Sequence, residues 1–460
     1  MILFIQIGGI YMAIKNYDRK TFGKLLNEVV SPSRPVLSLE HLKGRENQLS
    51  RIQQALYATG RNVFIYGERG VGKSSLAATA ANEWCGGHDC YIDISCAPDT
   101  TVLSMISTIA TQAINKTVLK RKKVKNTFQI GFKWFTFKRE SEIEYINFKN
   151  EIKCLSDGIE ILKELSEFFD EPLLVVVDEV DRIKELEEVE KFADFLKQLG
   201  DKRVDVKFIF TGIADTLDEI LGSHRSAIRQ LETIELPKLS WDARWEIAIE
   251  AMKAFDISID RSIYIRIALI SDGYPFYVHL IIEKLLWLLY DKPTQITEVE
   301  WEDYHAAIDI AIDAIHTELS RPYEKAINQR SRDYEEVVWS TIVAEDNIGE
   351  YIKSMYDQYL GIMKQFKDSE VLDIKKFSLR VRNLLKEEYG PILKTGLKKG
   401  QFIYNEKMLR GYVRLRAEQK GVELVLEAKE ISELKNKTQA TAKSNKAYFP
   451  HPPRTRYKSF

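Results

Sequence analysis

The sequence predicts an α/β fold, a doubly wound parallel sheet with a phosphate-binding loop at its carboxyl rim, and three stretches predict it. Residues 63–76 read VFIYGERGVGKSSL: a short apolar strand, a glycine-rich loop matching G-x-x-x-x-G-K-[ST], and the start of an alanine-rich helix. Residues 172–179 read PLLVVVDE, an apolar, β-rich run ending in two acids. Residues 206–212, VKFIFTG, are a third such run, ending in a hydroxyl residue and a glycine. Continuous apolar runs of this length are strands buried on both faces. Strands alternating with helices form parallel sheets, whose ligands bind at the carboxyl ends of the strands. The ends of strands 63–66, 173–177 and 206–211 are therefore expected on one rim.

The loop after the first strand is expected to hold a nucleotide. Its backbone N–H groups converge on phosphate oxygens, and the helix that opens at Lys73 adds the positive end of its dipole. The candidate binding residues are Gly67, Glu68, Arg69, Gly70, Val71, Gly72, Lys73, Ser74 and Ser75. Lys73 would reach the β- and γ-phosphates, and the Ser74 hydroxyl would ligate magnesium. At the second strand Asp178 would hold the magnesium, directly or through water, while Glu179 would orient and polarise the water that attacks the γ-phosphate. Taken alone, two acids after a strand read as a helix cap, a role open to Asp178 or Asp181. Beside a glycine loop the catalytic reading is preferred.

Composition bounds the rest. A chain of 460 residues is long for one core, so two or three domains are expected. The net charge of -1 gives no global attraction to nucleic acid or membrane, so any such attraction must be local. The apolar N-terminus, MILFIQIGGI, lacks a basic leader and is too short to span a bilayer; residues 1–35 are expected as an N-terminal extension, of which 1–11 read as lying upstream of the start at Met12. No membrane is expected and the cytoplasm is the expected location. Cys85, Cys90, Cys96 and Cys154 lack C-x-x-C spacing, which favours reduced structural thiols over a zinc site with His88.

Together with LKGREN at 42–47 and VDEVDRI at 177–183, these motifs resemble the AAA+ ATPases of the origin-recognition and archaeal replication-initiator type. The resemblance spans about residues 36–320. It implies a P-loop αβα core over 36–240 followed by a helical lid over 241–320, with ATP and magnesium as cofactors. In such ATPases a polar residue at the end of the third strand senses the γ-phosphate; Thr211 and Asp215 are both candidates. The loop SHRSAIR at 223–229 stands where the family sends an arginine finger into a neighbouring subunit. Arg225 and Arg229 are the candidates, each also readable as a plain solvated or ion-paired arginine.

The lid is expected as four amphipathic helices, Trp241 to Phe255, Arg261 to Ser271, Tyr277 to Tyr290 and Trp301 to Leu319. Between the second and third, DGYPF at 272–276 resembles the G-x-P lid motif of signalling (STAND) ATPases, which adds Pro275 to the binding residues. A simple Gly-Pro turn between helices is the other reading.

Partners are suggested by two basic regions. Residues 116–139 hold nine basic residues and no acid, interleaved with Phe128, Phe132, Trp134, Phe135 and Phe137. This insertion reads as a hairpin over 127–137 that engages a phosphate backbone, packs its aromatics on the core, or forms an oligomer contact. Residues 321–430 then resemble the winged-helix domain that follows the lid in initiator ATPases. Helices Lys353 to Phe366 and Asp373 to Tyr389 precede a basic hairpin, 391–397 and 401–404, around Lys398, Lys399 and Gly400. Lys375, Lys376, Arg380 and Arg382 precede the hairpin, and Arg410, Arg414 and Arg416 follow it. The tail, 431–460, reads as disordered and basic.

Three readings follow. The adopted one is an ATP-hydrolysing AAA+ switch that forms homo-oligomers and acts on double-stranded DNA. The alternative is a STAND-like signalling or defence ATPase whose C-terminal domain binds a protein partner. The third, a module that holds nucleotide without turnover, leaves Glu179 without a purpose.

Overall fold

The computed structural model describes residues 14–424, apart from residues 33, 87–90, 122–129, 132–135, 138–147, 149–151, 168–171, 224–226, 316, 330–332, 344–348 and 367–369. It divides into two compact units, residues 1–257 with 273–283 and residues 258–272 with 284–460. The helices that sequence patterning groups into one lid are thus shared between the units.

The first unit is an αβα sheet. Its strands are β1 (Asn62–Tyr66), β2 (Ile92–Ser95), β3 (Leu173–Asp178), β4 (Val206–Gly212) and β5 (Leu231–Glu235). They lie in the order β2-β3-β4-β1-β5, all neighbours parallel. Every residue of β4 is buried, because strands and helices cover it on all sides. Phe208 and Phe210 stack with centroids 5.3 Å apart, and Phe192 and Phe195 of the helix Leu186–Asp201 meet them edge-on. Register pairs Tyr66 with Gly212 and Val177 with Phe210, so the carboxyl ends of β1, β3 and β4 share one rim as expected.

The helix Lys73–Cys85 packs beneath the sheet through Leu76, Ala77, Ala80 and Ala81, all fully buried. Small side chains allow this close approach. Strand β5 ends at Glu235, beyond which the Leu236 N–H still bonds the Tyr66 carbonyl at 2.7 Å and Pro237 has no donor to continue.

The second unit is mainly helical. Its helices include Arg261–Ile270, Trp301–Ala314, Thr317–Ile327, Tyr334–Ser340, Ile352–Met363, Ile374–Asn383 and Leu409–Gln419. The expected helix 301–319 is broken after Ala314, where Ile315 turns to an extended backbone. Asp373 caps its helix by accepting from the N–H groups of Lys375 and Lys376 at 2.9 and 3.0 Å. That helix stops at Asn383 rather than Tyr389, and a separate turn of 3-10 helix covers Glu387–Tyr389. The hairpin Leu393–Thr395 with Gln401–Tyr404 is present, joined on its other side by Glu350–Tyr351.

Part of the basic surface read from sequence is interior. Arg410 and Arg414 are 7% and 4% exposed and both meet the Asp272 carboxylate, at 3.0 and 3.4 Å. Arg380 bonds Asp333 at 3.1 Å and lies over the Tyr334 ring, while Arg416 lies over the Tyr323 ring. These arginines hold the unit together. Lys375, Lys376, Arg382, Lys394, Lys398 and Lys399 remain exposed.

Of the basic insertion, Ile130–Gly131 pair antiparallel with Thr136–Phe137. The rings of Phe128, Phe132, Trp134 and Phe135, together with Arg225, His88, residues 1–13 and the tail, fall outside the described residues. Among the described residues no helix is long and apolar enough to cross a membrane.

Candidate functional site

The carboxyl rim of the sheet opens on a cavity of about 560 Å³ that lies within the first unit. One end is the glycine loop. Gly72, at φ 97°, ends the loop in a left-handed conformation from which the helix Lys73–Cys85 starts, so the helix N-terminus faces the cavity. Arg69, Gly70, Val71, Gly72, Lys73, Ser74 and Ser75 line this end.

Gly67 and Glu68 serve differently. A Cβ at Gly67 would come within 2.4 Å of the Leu236 carbonyl oxygen, so glycine there lets the loop pass against the strand end. Glu68 accepts a hydrogen bond from the Tyr274 hydroxyl at 2.7 Å, tying the loop to the DGYPF turn. Lys73 Nζ donates to the carbonyls of Gly67 and Glu68 at 3.1 and 2.9 Å. Burial lowers its pKa, against the pull of Asp181, Asp178 and Glu179.

The acidic side of the cavity comes from β3 and β4. The Thr211 hydroxyl donates to Asp178 Oδ1 and accepts from the Glu179 N–H at 3.1 Å, and that N–H also reaches Asp178 Oδ1 at 3.1 Å. Thr211 is fully buried and lines the cavity, whereas Asp215 is exposed on the helix Ala214–Ser223 and does not. Glu179 has a left-handed backbone, φ 57° and ψ 43°, uncommon for a non-glycine residue and characteristic of functional sites. Its carboxylate lies 2.7 Å from Arg182 Nε. Asp178, Glu179, Asp181, Arg182 and Ser74 all line the one cavity, so carboxylate and hydroxyl oxygens converge beside the glycine loop. The donor set is hard oxygen, which suits magnesium. Arg229 is exposed in the short turn Ala227–Gln230 and does not line the cavity.

A further part of the cavity wall was not anticipated from sequence. Ser31, Pro32, Pro35, Leu42, Ile247, Phe276 and His279 line it. The phosphate-loop helix fixes this wall in place: Ser75 Oγ accepts from the Val36 N–H at 3.1 Å, Thr79 Oγ1 donates to the Val36 carbonyl at 2.9 Å, and Asn82 donates to Leu37 at 3.0 Å. Arg45, 4% exposed, donates to the Val71 carbonyl at 3.0 Å, and burial pulls its pKa to about 10. His279 Nδ1 accepts from the Ser31 N–H at 3.4 Å. Burial, with a smaller contribution from neighbouring His41, drops the His279 pKa to about 4, so the imidazole is neutral. The proline-rich SPSRPV at 31–36 was the available sequence signal, since such a segment fixes an extended backbone. Pro275 also lines the cavity, its Cγ 3.8 Å from where a Cβ on Gly72 would lie.

Residues 41–209 match the family model of the AAA ATPase domain. No curated protein matches. Among solved structures, the Walker-type ATPase of Pyrococcus abyssi superposes with a TM-score of 0.50 at 14% identity, covering 83% of this chain and 99% of that one. More loosely similar are the ORC2 protein of Aeropyrum pernix (TM-score 0.45, 11% identity, 86% and 98% covered) and Cdc6p of Pyrobaculum aerophilum (0.41, 14%, 86% and 99%). At 14% identity the likeness to the Pyrococcus abyssi structure speaks for fold alone, and the family model speaks for one segment: residues 41–209 of this chain form an AAA ATPase domain.

Proposed function

We propose that the protein binds ATP with magnesium, hydrolyses it slowly, and uses the cycle as a switch acting on double-stranded DNA as a homo-oligomer. The observation that carries hydrolysis is Glu179 on the same cavity as the glycine loop, beside Asp178 and Thr211. Lys73 and the loop N–H groups bind the phosphates, and the base occupies the apolar end formed by Pro32, Leu42, Ile247 and Phe276. Ser74 and Asp178 would hold magnesium, which neutralises charge developing on the transferred phosphoryl group. Glu179 orients the attacking water. Thr211 fits the sensor, because its hydroxyl touches both acids' positions and Asp215 is remote from the cavity. Arg225 or Arg229 would complete the site of an adjoining subunit.

DNA binding is assigned to the C-terminal unit as a winged helix. The exposed Lys394, Lys398 and Lys399 on the hairpin, with Lys375, Lys376 and Arg382 on the helix Ile374–Asn383, support that reading. ATPase rate with and without duplex DNA at two salt concentrations tests it: stimulation that fades with salt is expected. Slow turnover indifferent to DNA would favour the second reading, a STAND-like switch with a protein partner, which the position of Pro275 on the cavity wall supports.

A further inference from the structure

Glu179 and Arg182 sit at the two ends of one turn of 3-10 helix. The Arg182 N–H bonds the Glu179 carbonyl at 2.9 Å, which closes the turn and brings both side chains to the same cavity. The left-handed backbone of Glu179, held by Asp178 and Thr211 at its N–H, limits where the carboxylate can go. Both carboxylate oxygens face the guanidinium, Oε2 2.7 Å from Nε and Oε1 3.5 Å from Nη2. Guanidinium matches a carboxylate through two parallel contacts, so it competes with water for the lone pairs that would orient the nucleophile.

We propose that Arg182 is a positioning residue that restrains Glu179, holding its carboxylate away from the attacking water until the pair opens. The proposal rests on the reading of Glu179 as the residue that orients water. Exposure makes the restraint reversible: the two side chains are 41% and 40% exposed, a range in which ion pairs are weak and exchange with solvent. The pair therefore acts as a partial brake rather than a block. Its position in sequence, three residues after the catalytic acid, means that each copy of the chain carries its own restraint, independent of any neighbouring subunit.

The test is steady-state ATPase kinetics on the full chain for Arg182→Ala, Arg182→Lys, Glu179→Gln and the double variant Glu179→Gln/Arg182→Ala. Arg182→Ala should raise kcat about two- to fivefold, the factor an exposed pair can supply, with KM for ATP within twofold of the parent. Arg182→Lys keeps the charge and should stay near the parent rate. The double variant should be as slow as Glu179→Gln alone, because the arginine acts only through the acid. An unchanged or lower kcat in Arg182→Ala, or a rate gain that persists in the double variant, overturns the restraint. Full turnover in Glu179→Gln would instead overturn the role of Glu179 itself, so the two failures are told apart.

Discussion

The cavity at the sheet's carboxyl rim and the C-terminal unit are both built around a carboxylate facing arginine, yet the two pairs stand in opposite surroundings. Glu179 and Arg182 are about two-fifths exposed, on a cavity. Asp272 is 1% exposed, and the guanidinium groups of Arg410 and Arg414 close on it, with the Arg410 guanidinium over the Tyr404 ring at 5.6 Å. Tyr404 in turn shares a 2.5 Å hydrogen bond with Thr341, and burial raises its pKa to about 12. Exposure lets solvent compete for the first pair, and burial shields the second. One arrangement can rearrange during a reaction; the other fixes a helix.

The largest effects should separate the two regions by what is lost. Glu179→Gln keeps the shape of the side chain and removes its charge, so nucleotide binding should persist while turnover falls about a hundredfold or more, the usual worth of a positioned base. Lys73→Ala should abolish binding itself. Titration of a fluorescent ATP analogue alongside phosphate release checks both, and neither variant should move the urea midpoint appreciably. Asp272→Ala should do the reverse. It strands two buried guanidinium groups, which typically costs 3–5 kcal/mol, about the loss expected from breaking a buried ion pair. A midpoint within 1 kcal/mol or so of the parent would mean that water reaches Arg410 and Arg414 and that the contrast is false.

A smaller effect belongs to pH. His279 is held neutral with a pKa of about 4, against 6.5 for the free side chain. Between those values the unfolded chain takes up a proton that the folded chain refuses, so stability rises with pH across the window and is lost as pH falls from about 6.5 toward 4. The slope is about 1.4 kcal/mol per pH unit. Between pH 7 and pH 5 the parent should lose about 2 kcal/mol more than His279→Gln, as read from urea midpoints at the two pH values. His41, whose pKa burial also lowers, adds to the parent's slope in the same sense and remains in the variant.

What could be read from sequence divides along the same line as the charges. Strands β1, β3 and β4 are central, covered on both faces, and announce themselves as continuous apolar runs. Strand β2 was missed: it lies at the sheet edge, reads IDIS, and carries a polar residue at every second position. The glycine-loop side of the cavity was legible because its residues come from one contiguous loop and from an acid pair at a strand end. The apolar end was not, since Pro32, Ile247 and His279 come from three distant segments and meet only through folding. The arginines of the helix Leu409–Gln419 misled for a related reason. Charge is visible in sequence and burial is not, and Asp272, the partner that draws Arg410 and Arg414 inward, lies more than a hundred residues earlier.

The basic residues that stay outside allow the mildest test. Lys398 and Lys399 are exposed at the turn of the hairpin, next to Leu397, which is wholly exposed. A lysine that contacts phosphate displaces one counterion, so removing it lowers the slope of log affinity against log salt by about 1 and weakens binding evenly across sequences. Lys398→Ala/Lys399→Ala should therefore reduce the slope by about 2, weaken duplex binding at low salt, and leave the urea midpoint unchanged, since neither side chain is buried. Titrations of labelled duplexes of two unrelated sequences at three salt concentrations supply the measurement. An unchanged slope would remove the hairpin from the DNA surface and leave Lys375, Lys376 and Arg382 to carry it. A loss confined to one of the two duplexes would mean that the turn reads bases rather than backbone. In either case Arg410→Lys, buried beside Asp272, should lower stability and leave the salt slope where it was, because a guanidinium inside the fold has no counterion to release.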